Sequence, residues 1–145
     1  MCLDNVDNLP SPSIGYKVFV RVNNIDLLPI FGSHLKFLHT GNVSHIPVGK
    51  VIDEKKYRHT PDLERLSYPS WNRFILPRKF YQTGFHVFDE LKDAQKYLDG
   101  LFFKGRLVIY QVEIIKPVVH GSETYEGKNF KITVCQSMKV LKEIK

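Results

Sequence analysis

Between Lys50 and Phe80, basic and aromatic side chains alternate closely: Lys55, Lys56, Arg58, Arg65, Arg73, Arg78 and Lys79 are interleaved with Tyr57, Tyr68, Trp71 and Phe74, and Tyr81 follows. Guanidinium and ammonium groups neutralise phosphate through charge-assisted hydrogen bonds, and aromatic faces stack on bases. The mixture therefore has the chemistry of a single-strand or nucleotide binder. Arg73, between Trp71 and Phe74, is its tightest cluster. Trp, Tyr and Arg also dominate protein–protein hot spots, so the same stretch reads as a surface for a protein partner. The plainer alternative is a satellite core under a long loop, with the charges facing water. His86 is a further candidate contact, because it sits on a strand feeding a helix and faces away from Phe85 and Val87; a hydrogen-bonded strand histidine is the alternative there.

Enzymatic chemistry has fewer footholds. Arg21 on an early strand, a later histidine, and Glu123 or Glu126 in a glycine-flanked segment are the ingredient types of an ADP-ribosyltransferase-like site, where a glutamate holds a ribose. Solvated turn carboxylates explain the two glutamates equally well. The chain contains no Gly-x4-Gly-Lys-Ser/Thr, no Gly-x-Gly-x-x-Gly and no Gly-x-Ser-x-Gly, so P-loop, dinucleotide-fold and hydrolase-elbow signatures are absent. Six histidines occur, but His34-x4-His39 and His39-x5-His45 lack the spacing of a helical zinc pair, and Cys2 and Cys135 are isolated. No metal, cofactor or catalytic residue is assigned. Cys135, in Ile132-Thr133-Val134-Cys135, reads as a small buried hydrophobe.

The elements that position these residues follow from periodicity. Tyr16 to Val22 alternates, with Tyr16, Val18, Val20 and Val22 on one face and Lys17, Phe19 and Arg21 on the other, a first strand. Residues 29–48 carry Gly, Pro, His and Asn with no sustained period. Pro61, Pro69 and Pro77 break residues 50–83 into an irregular insertion. Gly84 to Phe88 is a short strand running into a helix over 89–99, with Asp89 as N-cap and Gly100 as a left-handed stop; Leu91, Ala94, Tyr97 and Leu98 share the face that must lie on a sheet. Arg106 to Ile115 is a β-branched central strand closed by Pro117, and His120 to Gly127 has the composition of a loop. Phe130 to Cys135 is a strand, and Met138 to Ile144 is either a further strand, with Met138, Val140 and Ile144 on one face, or a short helix, the β-branched Val140 and Ile144 favouring strand. The expected fold is α+β: one domain over 1–145, a mostly antiparallel sheet, one helix packed on it and the long insertion.

A chain of 145 residues with 43% hydrophobic and 25% charged residues has the composition of one globular domain, which excludes disordered, collagen-like and coiled-coil classes. No apolar run reaches the ~20 residues of a membrane span. The acidic start Met1 to Asp7 lacks the features of a secretory signal, so the expected compartment is the cytoplasm, with both cysteines as thiols. The formal charge of +6 is concentrated: residues 50–80 hold eight basic against four acidic side chains, a net +4.

Met1-Cys2-Leu3, Gly15-Tyr16-Lys17-Val18-Phe19, Gly84-Phe85-His86-Val87-Phe88 with Asp93-Ala94 and Tyr97, Val112-Glu113, the Gly121 segment and the closing Met138 to Ile144 resemble blocks of small uncharacterised phage and bacterial accessory proteins. The resemblance covers the first strand and most of the chain beyond Gly84, and leaves out the basic middle. It implies an accessory protein of phage or mobile-element type, with counter-defence as a role, acting in the host cytoplasm. Together with the residue chemistry, it leads to a non-enzymatic protein that sequesters an anionic nucleotide-type ligand or nucleic acid. The expected contacts are Lys55, Lys56, Arg58, Tyr68, Trp71, Arg73, Phe74, Arg78, Lys79, Tyr81 and His86. A protein-binding inhibitor acting on a host protein and the transferase remain the alternatives.

Overall fold

A computed structural model describes residues 3–22, 26–29, 46–54, 67–69, 80–82, 84–101 and 106–145. Its spine is a hairpin of two long strands, β8 (Leu107–Tyr125) and β9 (Lys128–Ile144). Glu126 and Gly127 connect them, both at positive φ (49° and 74°), the geometry of a two-residue primed turn whose twist matches that of the strands. The expected loop over 120–127 is therefore strand up to Tyr125, because polar residues in a half-solvated hairpin keep the ladder.

The remaining strands attach to this hairpin. β1 (Asn5–Asp7) and β2 (Ile14–Val22) both pair with β8, at residues 120–122 and 107–113 respectively. β3 (Asp26–Pro29) folds back on β2. β4 (Val51–Asp53) and β7 (Phe85–Phe88) pair with β9. Tyr16 on β2 opposes Phe88 on β7, so the pairings run β8 to β2, β2 to β7, β7 to β9 and back to β8, a closed ring. β5 (Ser67–Pro69) and β6 (Phe80–Gln82) form a separate two-stranded ribbon within the expected irregular insertion. All the strand pairs are antiparallel, and sheet dominates over the one helix among the described residues, α1 (Leu91–Asp99).

Three local expectations change. Pro117 does not end the strand: it follows Lys116, which has φ 50°, at a register shift, and falls between the β2-paired and β1-paired parts of β8, where a missing N–H costs the ladder least. Met138 and Val140 share one cluster while Ile144 joins the other, because a second register shift inserts an extra residue in β9 opposite Gln111/Val112. The helix starts at Leu91 with Glu90 at its cap position, and Gly100 has φ −81°, right-handed; Asp89 is bonded elsewhere.

Both sheet faces are buried. On one, Phe19, Phe85, Val87, Val112, Ile114, Cys135, Met138 and Val140 pack with Leu27, Ile46 and Ile52. On the other, Ala94 and Tyr97 bring α1 onto Val18, Phe88, Ile109, Phe130, Ile132 and Val134, with Tyr97 5.2 Å from Phe88 and edge-on to Phe130 at 6.1 Å. Where β2 meets β7, a Cβ on Gly15 would lie 2.5 Å from Val87 Cγ1 and 2.7 Å from the Phe88 carbonyl oxygen. Gly15→Ala is therefore expected to lower stability by about 1–3 kcal/mol, by overpacking at the ring's closure. A denaturation midpoint unchanged from wild type would contradict this.

Candidate functional site

Most of the basic aromatic stretch, Lys55, Lys56, Arg58, Trp71, Arg73, Phe74, Arg78 and Lys79, lies outside the described residues, as do His34, His39, His45 and His59. Tyr68 and Tyr81 are described at the level of backbone, as direct register partners in the β5–β6 ribbon. His86 is buried on β7, its Nδ1 3.2 Å from the Gly84 carbonyl oxygen.

The transferase ingredients are not assembled. Arg21 follows Val20, which opposes Leu107 at the start of β8, and its guanidinium pairs with Glu143 at 2.5 Å. Glu123 lies near the other end of β8, opposite Phe130, and Glu126 occupies the exposed turn. Burial pushes the Glu123 carboxyl up to about 7, and the Asp4 carboxylate reinforces the shift; the Glu123 Oε2 is buried with no hydrogen-bond partner among the described residues.

The structure does bring together a set of polar groups around the buried His120 and Thr133 that periodicity did not single out. Asp7, His120 and Thr133 are register partners across β1, β8 and β9, and Asp89 arrives from the end of β7. His120 Nδ1 donates to Asp7 Oδ1 and Nε2 donates to Asp89 Oδ2, each at 2.6 Å, while the Thr133 hydroxyl donates to Asp89 Oδ1 at 2.7 Å. Asp7 Oδ1 also accepts the Leu9 N–H at 2.9 Å. Two carboxylates facing both ring nitrogens require a doubly protonated ring. Burial alone would lower the imidazolium pKa, but the bonds to Asp7 and Asp89 outweigh it and hold it above the ordinary 6.5. Burial likewise opposes ionisation of Asp7, yet the His120 and Leu9 bonds leave its carboxyl below the usual 3.8. With both nitrogens engaged, His120 has none left to act as a base or bind a metal. Its chemistry is positioning.

The second buried group is Lys17, on the same strand as Tyr16 and Val18 but on the Phe19 side. Its Nζ donates to the His86 carbonyl oxygen at 2.7 Å, and the described residues give it no carboxylate partner. Burial pushes the ammonium pKa down to about 8, against a weak upward pull from the Cys135 sulfur. One sequence signal marks it: a strand carrying large apolar residues on both faces is central, so a lysine upon it is buried. His120 and Asp89 gave no such signal, since their meeting depends on the β7–β9 and β8–β9 registers.

No protein-family model matches the chain, and no curated protein or solved structure matches it. The geometry therefore stands by itself: a sheet in which His120 and Lys17 are bonded within the fold.

Lys17 yields a signed pH dependence. Its folded pKa, about 8, lies below the ordinary lysine value of 10.5, so the folded state bears the cost of burying a charge at neutral pH and sheds it as pH rises from 8 toward 10.5. Lys17→Met, of similar shape, is expected to raise stability at neutral pH by roughly 1–3 kcal/mol and to remove the rise on the alkaline side. Denaturant titrations at neutral and alkaline pH check this; an alkaline rise that persists in the variant would show that Lys17 is not its source.

Proposed function

We propose that the protein is a non-enzymatic, phage-type accessory protein that binds and sequesters an anionic ligand, a nucleotide-type molecule or a nucleic acid, through the basic aromatic insertion. The observation that carries this reading is the β5–β6 register, in which Tyr68 opposes Tyr81 and Pro69 opposes Phe80. Pro69 and Phe80, so paired, flank in sequence residues 70–79, which include Trp71, Arg73, Phe74, Arg78 and Lys79. Cations with stacking faces on one short segment are the elements of phosphate and base recognition. The scaffold supports a binding role, since His120 and Arg21 are already engaged within the fold. The counter-defence role rests on the resemblance of the flanking blocks to phage accessory proteins.

Sequestration makes a salt-dependent prediction. Neutralising three phosphates of a single strand gives a log–log salt slope near −2, so affinity for a fluorescent oligonucleotide should fall roughly twenty-fold between ~50 and ~200 mM salt. Charge reversal at Arg73, Arg78 and Lys79 together should abolish binding while leaving the thermal transition intact. Mass spectrometry of small molecules released from the purified protein distinguishes a nucleotide from a nucleic acid. Salt-insensitive capture of a protein that is lost on Trp71→Ala would replace this reading with the inhibitor.

A further inference from the structure

We propose that His120 is a proton-operated clasp that holds the N-terminal strand β1 on the sheet and releases it when the imidazolium loses its proton. β1 is a strap. It spans Asn5–Asp7, opposes β8 over residues 120–122, and is followed by the exposed Asn8, Leu9 and Pro10, with Pro12 two residues further on. Further ties to the body include the β1–β8 pairing itself, the buried Leu3 side chain, Val6 packed against the helix-side cluster, the Asp4 N–H donated to the Ser122 carbonyl at 2.9 Å, and the Thr124 N–H donated to the Asp4 carboxylate. The Asp7–His120 tie involves an imidazole, which titrates near neutrality; Glu123, its carboxyl pushed up to about 7 by burial and by Asp4, is a second group in that range beside the strap, and Asp7→Asn removes only the first tie.

The mechanism follows from the two carboxylates. The protonated ring donates to Asp7 from β1 and to Asp89 at the end of β7, so one cation bridges strap and body. Thr133 from β9 faces the same cluster through Asp89, and Lys131 on β9 acts electrostatically on Asp7; Asp4 and Glu123 lie further along β1 and β8. A neutral ring keeps one N–H and turns a lone pair toward the other carboxylate. Asp89 is the more buried, 11% exposed against 36% for Asp7, and is fixed by Thr133, so it retains the N–H. Asp7 then faces a lone pair and is close enough to water to be solvated outside the cluster.

The sign is set by both groups. His120 titrates above 6.5 in the folded protein, so its contribution is complete below that pH and is lost as pH rises through the folded value. Asp7 is depressed below 3.8, so the clasp fails on the acid side only when that carboxylate takes a proton. Sterics supply an independent way to open it. A Cβ on Gly121 would run into the Asn5 carbonyl oxygen and meet Leu3 Cδ1 at 2.9 Å, so Gly121→Ala displaces β1 without altering an ionisable side chain.

Hydrogen-exchange mass spectrometry on the full chain, corrected for the intrinsic pH dependence of exchange, tests this. Peptides covering residues 3–9 are compared with core peptides of β8 and β9 across His120's own titration, followed by NMR in the same samples. In wild type, protection of the strap should fall roughly tenfold as His120 deprotonates, while core protection holds. Asp7→Asn should lower the His120 pKa and leave the strap weakly protected at every pH. Gly121→Ala should do the same from the steric side. The proposal is overturned if strap protection stays constant through the His120 titration, if Asp7→Asn keeps the wild-type profile, or if strap and core lose protection together.

Discussion

The antiparallel pairing of β8 with β9 is the interaction on which the rest of the fold depends. β1 and β2 use the free edge of β8, β4 and β7 use the free edge of β9, and β3 reaches the sheet through β2. A strand pair this long would twist away from its neighbours if it were regular. Two register shifts, at Gln111/Val112 and Pro117/Val119, bend it so that β2 on one edge meets β7 on the other. The shifts also move side chains between faces, which is why Val140 and Ile144 enter different hydrophobic clusters. Closing the ring protects strand edges that would otherwise be open to pairing with other chains.

That closure has an electrostatic cost. Lys17 is carried into the interior because β2 must lie between β8 and β7, and its ammonium is bonded to a carbonyl oxygen where a carboxylate would have offset more of the desolvation. The His120 cluster shows the opposite arrangement: each ring nitrogen has a carboxylate, and Asp89 has Thr133 besides. A fully bonded buried network specifies one arrangement of the strands that contribute to it, because any slip leaves a charge unmatched. Here the network joins β1, β8, β9 and the exit of β7, which are distant in sequence. The scaffold is thus pinned by polar groups at one place and strained by one at another.

Much of the organisation was legible in the residues. Strand β2 follows from strict alternation, β7 from Phe85 to Phe88, and α1 from the spacing of Ala94, Tyr97 and Leu98; Leu91, expected on the same face, is exposed at the first turn of the helix. The burial of Cys135 follows from its apolar run. Local composition misled where tertiary context overrode it. His120 to Tyr125 is polar and looks like a loop, but the hairpin supplies ladder partners on β9. Asp89 has the type and place of a helix cap, but a carboxylate beside a buried imidazolium gains more from that charge than from an N–H at a helix end. Tyr68 and Tyr81 became register partners through a pairing that no period signals. The basic residues between them were identified by chemistry alone, and lie outside the described residues.

By itself, the sequence determined a mostly antiparallel sheet with one helix, though the α+β class it suggested fits only loosely a chain so dominated by sheet, together with the local concentration of positive charge and the absence of the common nucleotide and hydrolase motifs. These are read from neighbours along the chain, through side-chain periodicity, turn chemistry and charge. Only the tertiary structure decided that the strands close into a ring, that Lys17 bonds the His86 carbonyl, and that Asp7, His120, Asp89 and Thr133 form one network. Each of these rests on the registers of strands far apart in the chain, and a register is set by packing and bulges that no local window contains.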